Sequence, residues 1–334
     1  MAANLDAIRA QTQMLGQRTL RRWGPPALQG WTNLDALFRK ACTVFGLAIV
    51  GLLVFIVAEL VRGSAPSLLR FGSSFVVDKL WDPVTERFGA ATFIYGTVVS
   101  SAIALLIAVP LGVGVAIFLV EMAPRQVSVT VGFLVELLAA IPSIVYGLWG
   151  LFVLAPIVRD HLAPALRATL GFIPLFSGPS FGVGMLTAGL ILSIMILPFI
   201  AAVSRDVLAA VPQAQREGSL AVGATKWETI WQVVIPYGRA GIGGAIILAL
   251  GRALGETMAA TMVIGNTPQI AASLFQPGYT MASVIANEYS EASGPLYLSA
   301  LTEVGLLLFV VTFAVNGCAR VLIWRMARGA GRHE

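Results

Sequence analysis

Two charged residues stand inside an apolar stretch of the chain, at about 240–264. Arg252 and Glu256 are four residues apart, so in a helix they would share one face. Gly251 and Gly255 repeat this spacing beside them and would let a second helix approach closely. A charge in mid-membrane costs at least ~2.5 kcal/mol on insertion scales, so these two residues are expected to have a structural or functional role. The pair fits a salt bridge that holds helices together. It also fits the polar lining of an anion path, because the arginine fork binds oxyanions bidentately.

Other side chains that could do chemistry are few. Glu136 is a further carboxylate inside an apolar stretch and fits either a pathway or helix packing. Glu59 and Glu303 lie nearer the ends of their stretches, where we expect them close to the membrane surface. His161 and His333 are the only histidines, and the two cysteines show no metal-ligand spacing, so no metal site is predicted.

The composition indicates which elements hold these charges. Hydrophobic types make up 57% of the 334 residues, charged types make up 12%, and the mean hydropathy is +0.84. A soluble domain carries about 25% charged residues, so an ordinary soluble enzyme and a disordered chain are excluded. A membrane-spanning helix needs roughly 20 mostly apolar residues. Six stretches qualify, at about 41–61, 92–120, 128–157, 181–203, 240–264 and 297–324. The predicted fold is an all-α polytopic membrane protein with six transmembrane helices, the second and third kinked or tilted at prolines.

Lysine and arginine are distributed unevenly between the predicted connections. Fifteen of the 22 lie in the N-terminal tail, the second and fourth connections and the C-terminal tail. Six lie on the opposite side, and Arg252 lies within a span. Because cytoplasmic loops carry an excess of these residues, both termini are expected in the cytoplasm. The net charge of +5 reflects this bias, and no nucleic-acid partner is predicted.

The inner connection at about 204–239 carries signals of folded structure. Pro212 can open a short helix at its first position, and residues 213–222 continue it. Gly223 stands where helices often end in the left-handed conformation. The connection is therefore expected to begin with a short, deliberately terminated helix.

A second short helix is predicted directly afterwards. Thr225 and Glu228 fit a capping box at its start, and Pro236 is expected to stop it after Ile235. Two capped helices outside the bilayer fit a docking element for another protein, or an amphipathic loop that lies on the membrane.

The same loop resembles the ATPase-docking loop of ABC importer permeases. That loop has the form Glu-Ala-Ala, three residues, Gly, nine residues, then Ile-x-Leu-Pro. This chain keeps the spacing and replaces Ala-Ala by Gly-Ser, Ile by Val and Leu by Ile. The matching positions are Glu217, Gly218, Ser219, Gly223, Val233, Ile235 and Pro236. The resemblance implies a type I importer permease core whose loop sits in a groove of the ATPase subunit.

The chain itself does not carry the phosphate-binding loop that ATP hydrolysis would require. That loop needs Gly-Lys followed by Ser or Thr, and none of the three lysines follows a glycine. ATP and Mg are therefore expected on a partner ATPase. No cofactor is expected in this chain, which is predicted to be a non-catalytic subunit.

The run at 251–259, Gly-Arg-Ala-Leu-Gly-Glu-Thr-Met-Ala, resembles the fifth-span signature of phosphate-specific importers, in their C-type permease subunit. Residues 81–83, 93–97, 140–147 and 199–207 extend this resemblance over most of residues 80–325. In this family the positions of Arg252 and Glu256 are implicated in phosphate passage. We assign Glu136 and Thr257 to the same predicted pathway.

The resemblance also implies an assembly in a prokaryotic inner (plasma) membrane. The expected partners are a homologous A-type permease, two copies of the ATP-binding subunit, an extracytoplasmic phosphate-binding protein, membrane lipid and inorganic phosphate. The predicted organisation is a basic tail at 1–40, a first helix with an outer loop at 41–90, a permease core at 91–325 and a tail at 326–334.

Other functions stay open at this level. The same transporter could carry another oxyanion, sulfate or molybdate. A secondary transporter or channel would work without ATP and would give the loop around Gly223 no role. A membrane scaffold or sensor would transport nothing, and Arg252 would then serve signalling.

Overall fold

The computed structural model describes residues 29–329, with side chains from 36 to 325. In this part of the chain the regular secondary structure is helical, apart from one short hairpin and an isolated β-bridge between Phe181 and Val183. Its helices and strands are, in chain order, α1 (Gln29–Phe71), α2 (Ser74–Val77), β1 (Trp81–Asp82), β2 (Arg87–Phe88), α3 (Ala91–Ile117), α4 (Arg125–Ala140), α5 (Ser143–Trp149), α6 (Ala155–Ile157), α7 (Ala163–Leu170), α8 (Met185–Ala209), α9 (Gln213–Ala221), α10 (Lys226–Thr229), α11 (Ile235–Leu254), α12 (Met258–Val263), α13 (Met281–Glu288) and α14 (Pro295–Gly329). Wider π-helical turns lie at Phe118–Met122, Gly150–Leu154, Val158–Leu162 and Ile230–Val234, and a 3-10 turn lies at Pro174–Phe176.

Six continuous helical segments of the described chain are long and apolar enough to cross a membrane. They are Ala36–Phe71, Ala91–Met122, Ser143–Leu170, Met185–Ala209, Lys226–Leu254 and Pro295–Arg325. This confirms the predicted number of spans and the all-α class. The predicted bounds of the third and fifth spans were wrong.

The third apolar stretch is not one kinked helix. Helix α4 ends at Ala140, Ile141 and Pro142 are extended with ψ of 130° and 140°, and α5 begins at Ser143. The reason is Pro142, which has no N–H to donate and whose ring disfavours a helical conformation at the residue before it. The membrane-length segment therefore begins after the proline and runs to Leu170.

The fifth span begins earlier and ends earlier than the sequence suggested. Pro236 does not stop a helix, because the segment is continuous from Lys226 to Leu254. In the π turn before Pro236, the Ile235 N–H bonds five residues back, to the Ile230 carbonyl. The wider turn puts Pro236 in the first turn of α11, where its missing N–H is tolerated.

The packed core is built around α8, in the larger of two units, residues 1–59 and 60–334. Ile191, Ile196 and Ile200 on α8 are fully buried. Helix α3 meets this helix with small residues, and a Cβ at Gly112 would lie 2.9 Å from the Ile200 side chain. Small residues at a membrane-helix interface let the backbones approach closely. Helices α3 and α8 therefore form a tightly packed pair.

A second cluster, of aromatic residues, joins the hairpin to the later helices. Trp81 lies 4.9 Å from Phe88 and from Phe93, centroid to centroid, in edge-to-face geometry. The Trp81 indole and the Tyr297 hydroxyl both donate to Glu288 Oε2, at 2.8 and 2.6 Å. The hairpin is thus fixed to α13 and to the start of α14 by a shared carboxylate.

Candidate functional site

Arg252 occupies the last turn of α11 and faces α8. Its Cζ lies over the Phe199 ring, 4.5 Å from the ring centroid. A guanidinium at this distance from an aromatic face is held by cation–π attraction. Its Nε is buried and has no hydrogen-bond partner among the described residues. Because buried donors are almost always satisfied, Arg252 retains capacity to bind an acceptor.

Arg252 and Glu256 do not share a helix, contrary to the expectation from their spacing. Helix α11 ends at Leu254, and residues 255–257 are not helical. Glu256 Oε1 instead accepts from the Ala259 N–H at 3.2 Å, at the start of α12. The ion pairs among the described residues do not include one between Arg252 and Glu256. The salt-bridge interpretation therefore loses its geometric basis, since the carboxylate satisfies a helix N-terminus that the break exposes.

The break after α11 lies beside the break before α5. A Cβ at Gly147 of α5 would come within 3.1 Å of the Ala259 Cα and 2.7 Å of the Met262 sulfur on α12. A larger residue at position 147 would therefore require the Met262 side chain and the α12 backbone to shift. The two breaks lie at the ends of the membrane-length segments Ser143–Leu170 and Lys226–Leu254, and non-helical backbone is tolerated there where protein buries it or where it lines a polar cavity. Two such breaks on neighbouring helices are typical of transporter binding sites.

Tyr146 makes a hydrogen bond across the break before α5. Its hydroxyl donates at 2.8 Å to the Leu138 carbonyl, across the extended Ile141–Pro142 step. It also lies within electrostatic range of Arg252. No role is predicted for this tyrosine from the sequence beyond its place in a matching run. A carbonyl freed by a proline break is the signal that could have identified it.

Glu136 and Thr257, the other predicted pathway residues, have local partners. Glu136 Oε1 accepts from Arg205 Nη2 at 2.8 Å, which ties α4 to α8. The Thr257 hydroxyl lies 3.3 Å from the Gly255 carbonyl, to which it donates within the α11 break. The structure thus brings Thr257 and Glu256 to the same break as Arg252 and brings Glu136 to Arg205.

The segment that matches the docking loop has the predicted helix ends. Helix α9 covers Gln213–Ala221, and Gly223 follows with φ +93°. The capping box is present: the Thr225 N–H donates to Glu228 Oε2 at 2.7 Å, and the Glu228 N–H donates to Thr225 Oγ1 at 3.3 Å. Both predictions of local structure are confirmed.

The matched positions divide into two groups. Glu217 and Gly218 are exposed on α9, and a Cβ at Gly218 would meet nothing within 4 Å. Ser219 contacts the next helix, with its Oγ 3.0 Å from Thr229 Oγ1. The second group, Val233, Ile235 and Pro236, lies in the π turn and first turn that lead into α11. The segment therefore has an exposed first helix and a second part built into a membrane span.

Two features were not evident from the sequence. From the sequence, Arg216 is one of the basic residues of the inner connection. In the structure its side chain is 13% exposed and pairs with Glu121 at 3.0 Å. Glu303, expected near the membrane surface, is 2% exposed, and its Oε2 has no partner among the described residues. Pairing and burial of single charges depend on which helices are neighbours, and the pattern of one span does not contain that.

Comparison with known proteins identifies a family of transport proteins that matches this chain. The family described as "Binding-protein-dependent transport system inner membrane component" matches residues 108–328. The phosphate transport system permease protein PstC of Mesorhizobium japonicum is 49% identical over 301 residues, which cover 89% of this chain and 92% of that protein. The PstC of Haemophilus influenzae is also 49% identical, over 90% of this chain and 96% of that protein.

Solved structures agree at the level of the fold. A chain of a bacterial alginate ABC transporter, in complex with its alginate pentasaccharide-bound periplasmic protein, superposes with a TM-score of 0.58 at 15% identity, covering 89% of this chain and 98% of that one. At this identity the likeness speaks for the fold alone. Together with the matched family and the six spans, it shows that the chain belongs to the binding-protein-dependent transport system inner membrane components, as a multi-pass permease subunit.

Proposed function

We propose that this chain is the C-type permease subunit of an ATP-driven importer of inorganic phosphate. The observation that carries the proposal is Arg252, a guanidinium with a buried, unpartnered Nε at a helix break. It occurs in a chain that is 49% identical to PstC proteins over nine-tenths of its length. A cation with free donor capacity at such a break suits a tetrahedral oxyanion.

The surroundings of Arg252 favour passage over tight binding. Phe199 covers one face of the Arg252 guanidinium, and the guanidinium N–H groups lie in the plane of the group, away from that face. Glu256 supplies a second charge at the same break, of the same sign as phosphate. Repulsion by this carboxylate offsets part of the attraction to Arg252 and lets the anion leave. Thr257 adds a hydroxyl at the same break.

ATP and Mg are held by a partner ATPase in this proposal. The exposed face of α9, with Glu217 and Gly218, docks on that subunit, and Gly223 sets the turn that follows. A homologous A-type permease completes the pore, two ATP-binding subunits drive it, and an extracytoplasmic phosphate-binding protein delivers the anion. Both termini lie on the cytoplasmic side, as the bias in lysine and arginine indicates. Alternating access then exposes Arg252 to each side in turn.

The proposal is tested by uptake of radiolabelled phosphate, sulfate and molybdate in cells with and without the chain, in phosphate-limited medium. ATP depletion is the parallel control. We expect loss of ATP-dependent phosphate uptake alone. Loss of sulfate or molybdate uptake instead would support an ATP-driven importer but would contradict phosphate as its substrate. ATP-independent flux, or no change in flux in a strain without a redundant transporter, would overturn the proposal.

A further inference from the structure

Arg216 in the docking helix α9 makes three polar contacts that the proposed function does not yet use. Its Nε donates to Glu121 Oε1 at 3.0 Å, and its Nη2 donates to the Leu208 carbonyl at 2.8 Å. Its Nη1 donates to the Val211 carbonyl. All three nitrogens of the planar guanidinium are therefore engaged at once, which only arginine can do.

These partners belong to the ends of two membrane-spanning segments. Glu121 lies in the π turn that completes the span Ala91–Met122. Leu208 lies in the last turn of α8, and Val211 follows just after it. The carbonyls at a helix C-terminus are left without intrahelical partners and carry partial negative charge, so a cation is stabilised there. Arg216 thus joins α9 to the ends of both α3 and α8.

The other neighbours of helix α9 are α10 and the π turn Ile230–Val234 that follows it. Helix α9 contains no buried residue, so apolar packing contributes little to its position. Besides the Arg216 contacts, Ser219 approaches Thr229 of α10. The Arg216 and Glu121 side chains are 13% and 10% exposed, whereas those of the surface pair Arg70–Glu86 are 52% and 54% exposed. A buried pair is less screened and costs more to break than an exposed one.

We propose that Arg216 is a positioning residue that transmits movement of the docking helix into α3 and α8. The inference rests on the proposed function, in which α9 contacts the ATPase. The transmission has a physical route through α8. Arg216 donates to the Leu208 carbonyl in the last turn of this helix, and Phe199 lies earlier on the same helix, in contact with Arg252. Helix α3 moves with α8, because Gly112 and Ile200 interlock them. A displacement of α9 therefore reaches the candidate anion site through contacting groups.

The test uses the complete transporter in lipid vesicles with its binding protein, and measures phosphate transported per ATP hydrolysed. Arg216→Lys keeps the charge and removes the fork, so we expect assembly and ATP hydrolysis to persist while the ratio falls by about 2- to 30-fold. Glu121→Gln should lower the ratio similarly. The double variant should fall no further than the single ones, because both residues act through one contact.

Arg70→Lys is the matched control, since it makes the same substitution in an exposed ion pair, and we expect an unchanged ratio. If Arg216→Lys does not assemble, the ratio measured for Glu121→Gln tests the inference, because glutamine keeps the size of the side chain and an acceptor oxygen. Wild-type ratios in the assembled variants would overturn the inference alone. Wild-type vesicles that hydrolyse ATP without moving phosphate would overturn the proposed function, and the inference with it.

Discussion

The guanidinium of Arg252 and the ring of Phe199 are in direct contact, with Cζ 4.5 Å from the ring centroid. The contact joins α11, which ends two residues later at Leu254, to the central helix α8. The aromatic face satisfies the cation without supplying a hydrogen-bond acceptor. The buried Nε of Arg252 has no hydrogen-bond partner among the described residues, which is the observation behind the proposed anion site.

Removing the charge of Arg252 should remove transport and leave the fold intact. In Arg252→Gln we expect phosphate uptake to fall by about 10- to 100-fold, the value of charge-assisted hydrogen bonds to an anion. Assembly with the ATPase should persist, because Arg252 makes no ion pair with Glu256 in the structure. Uptake by membrane vesicles and co-purification of the ATPase measure the two effects. Wild-type uptake in an assembled Arg252→Gln complex would remove this residue from the path.

Phe199 should matter through the position of Arg252. Phe199→Leu keeps most of the apolar volume and removes the ring face, so we expect uptake to fall by about 2- to 30-fold, as loss of a cation–π contact allows. Phe199→Tyr keeps the face and should retain uptake. The half-saturation concentration and maximal rate of uptake measure the change. Equal uptake by the two variants would contradict a role for the ring.

Gly223 should be intolerant of a branched side chain. Its φ of +93° lies in the region that residues with a Cβ avoid, at a cost of about 1–2 kcal/mol that is larger for β-branched types. In Gly223→Val we expect the turn after α9 to be lost and the ATPase to dissociate or hydrolyse ATP without transport. Gly46→Val is the matched control, because a Cβ on that helical glycine meets nothing within 4 Å. An active, intact Gly223→Val complex would show that the turn is not needed for docking.

Glu256 and Arg252 should act independently on folding. A salt bridge would make the double neutralisation less damaging than either single one. The structure predicts additive effects, since Glu256 accepts from the Ala259 N–H at the start of α12 and Arg252 contacts Phe199. Glu256→Ala should cost about 1 kcal/mol through the lost hydrogen bond to the Ala259 N–H, and Glu256→Gln should cost less because it keeps an acceptor oxygen. The thermal stabilities of the single and double variants in detergent measure whether the effects add. A double variant more stable than either single variant would support the salt-bridge interpretation instead.

Local structure followed directly from local residue types. The left-handed turn at Gly223 and the Thr225–Glu228 capping box were predictable, because the groups that decide them lie within a few residues of one another. The number of spans was predictable for a similar reason. Apolar stretches of membrane length have few alternatives to a helix, since every backbone polar group must be paired internally.

Predictions that needed a neighbouring helix were wrong or incomplete. The spacing of Arg252 and Glu256 suggested one helical face, but the chain leaves the helix at Gly255, where α12 must pack against Gly147. Pro236 looked like a stop signal, but a π turn accommodates it. Residue spacing alone specifies neither the close approach of α12 to Gly147 nor the five-residue hydrogen bond of the π turn.

The sequence by itself determined that this protein is a six-span helical membrane protein with an inner loop that resembles the ATPase-docking loop of ABC importer permeases, because hydropathy and motif spacing are properties of the chain alone. Only the tertiary structure decided that Arg216 reaches Glu121 and that Arg252 faces Phe199. These pairs lie far apart in sequence, and their contacts exist only once α3, α8, α9 and α11 have packed. The physical reason is that a side chain's partner is set by the helix that packs beside it, which the periodicity of its own helix does not specify.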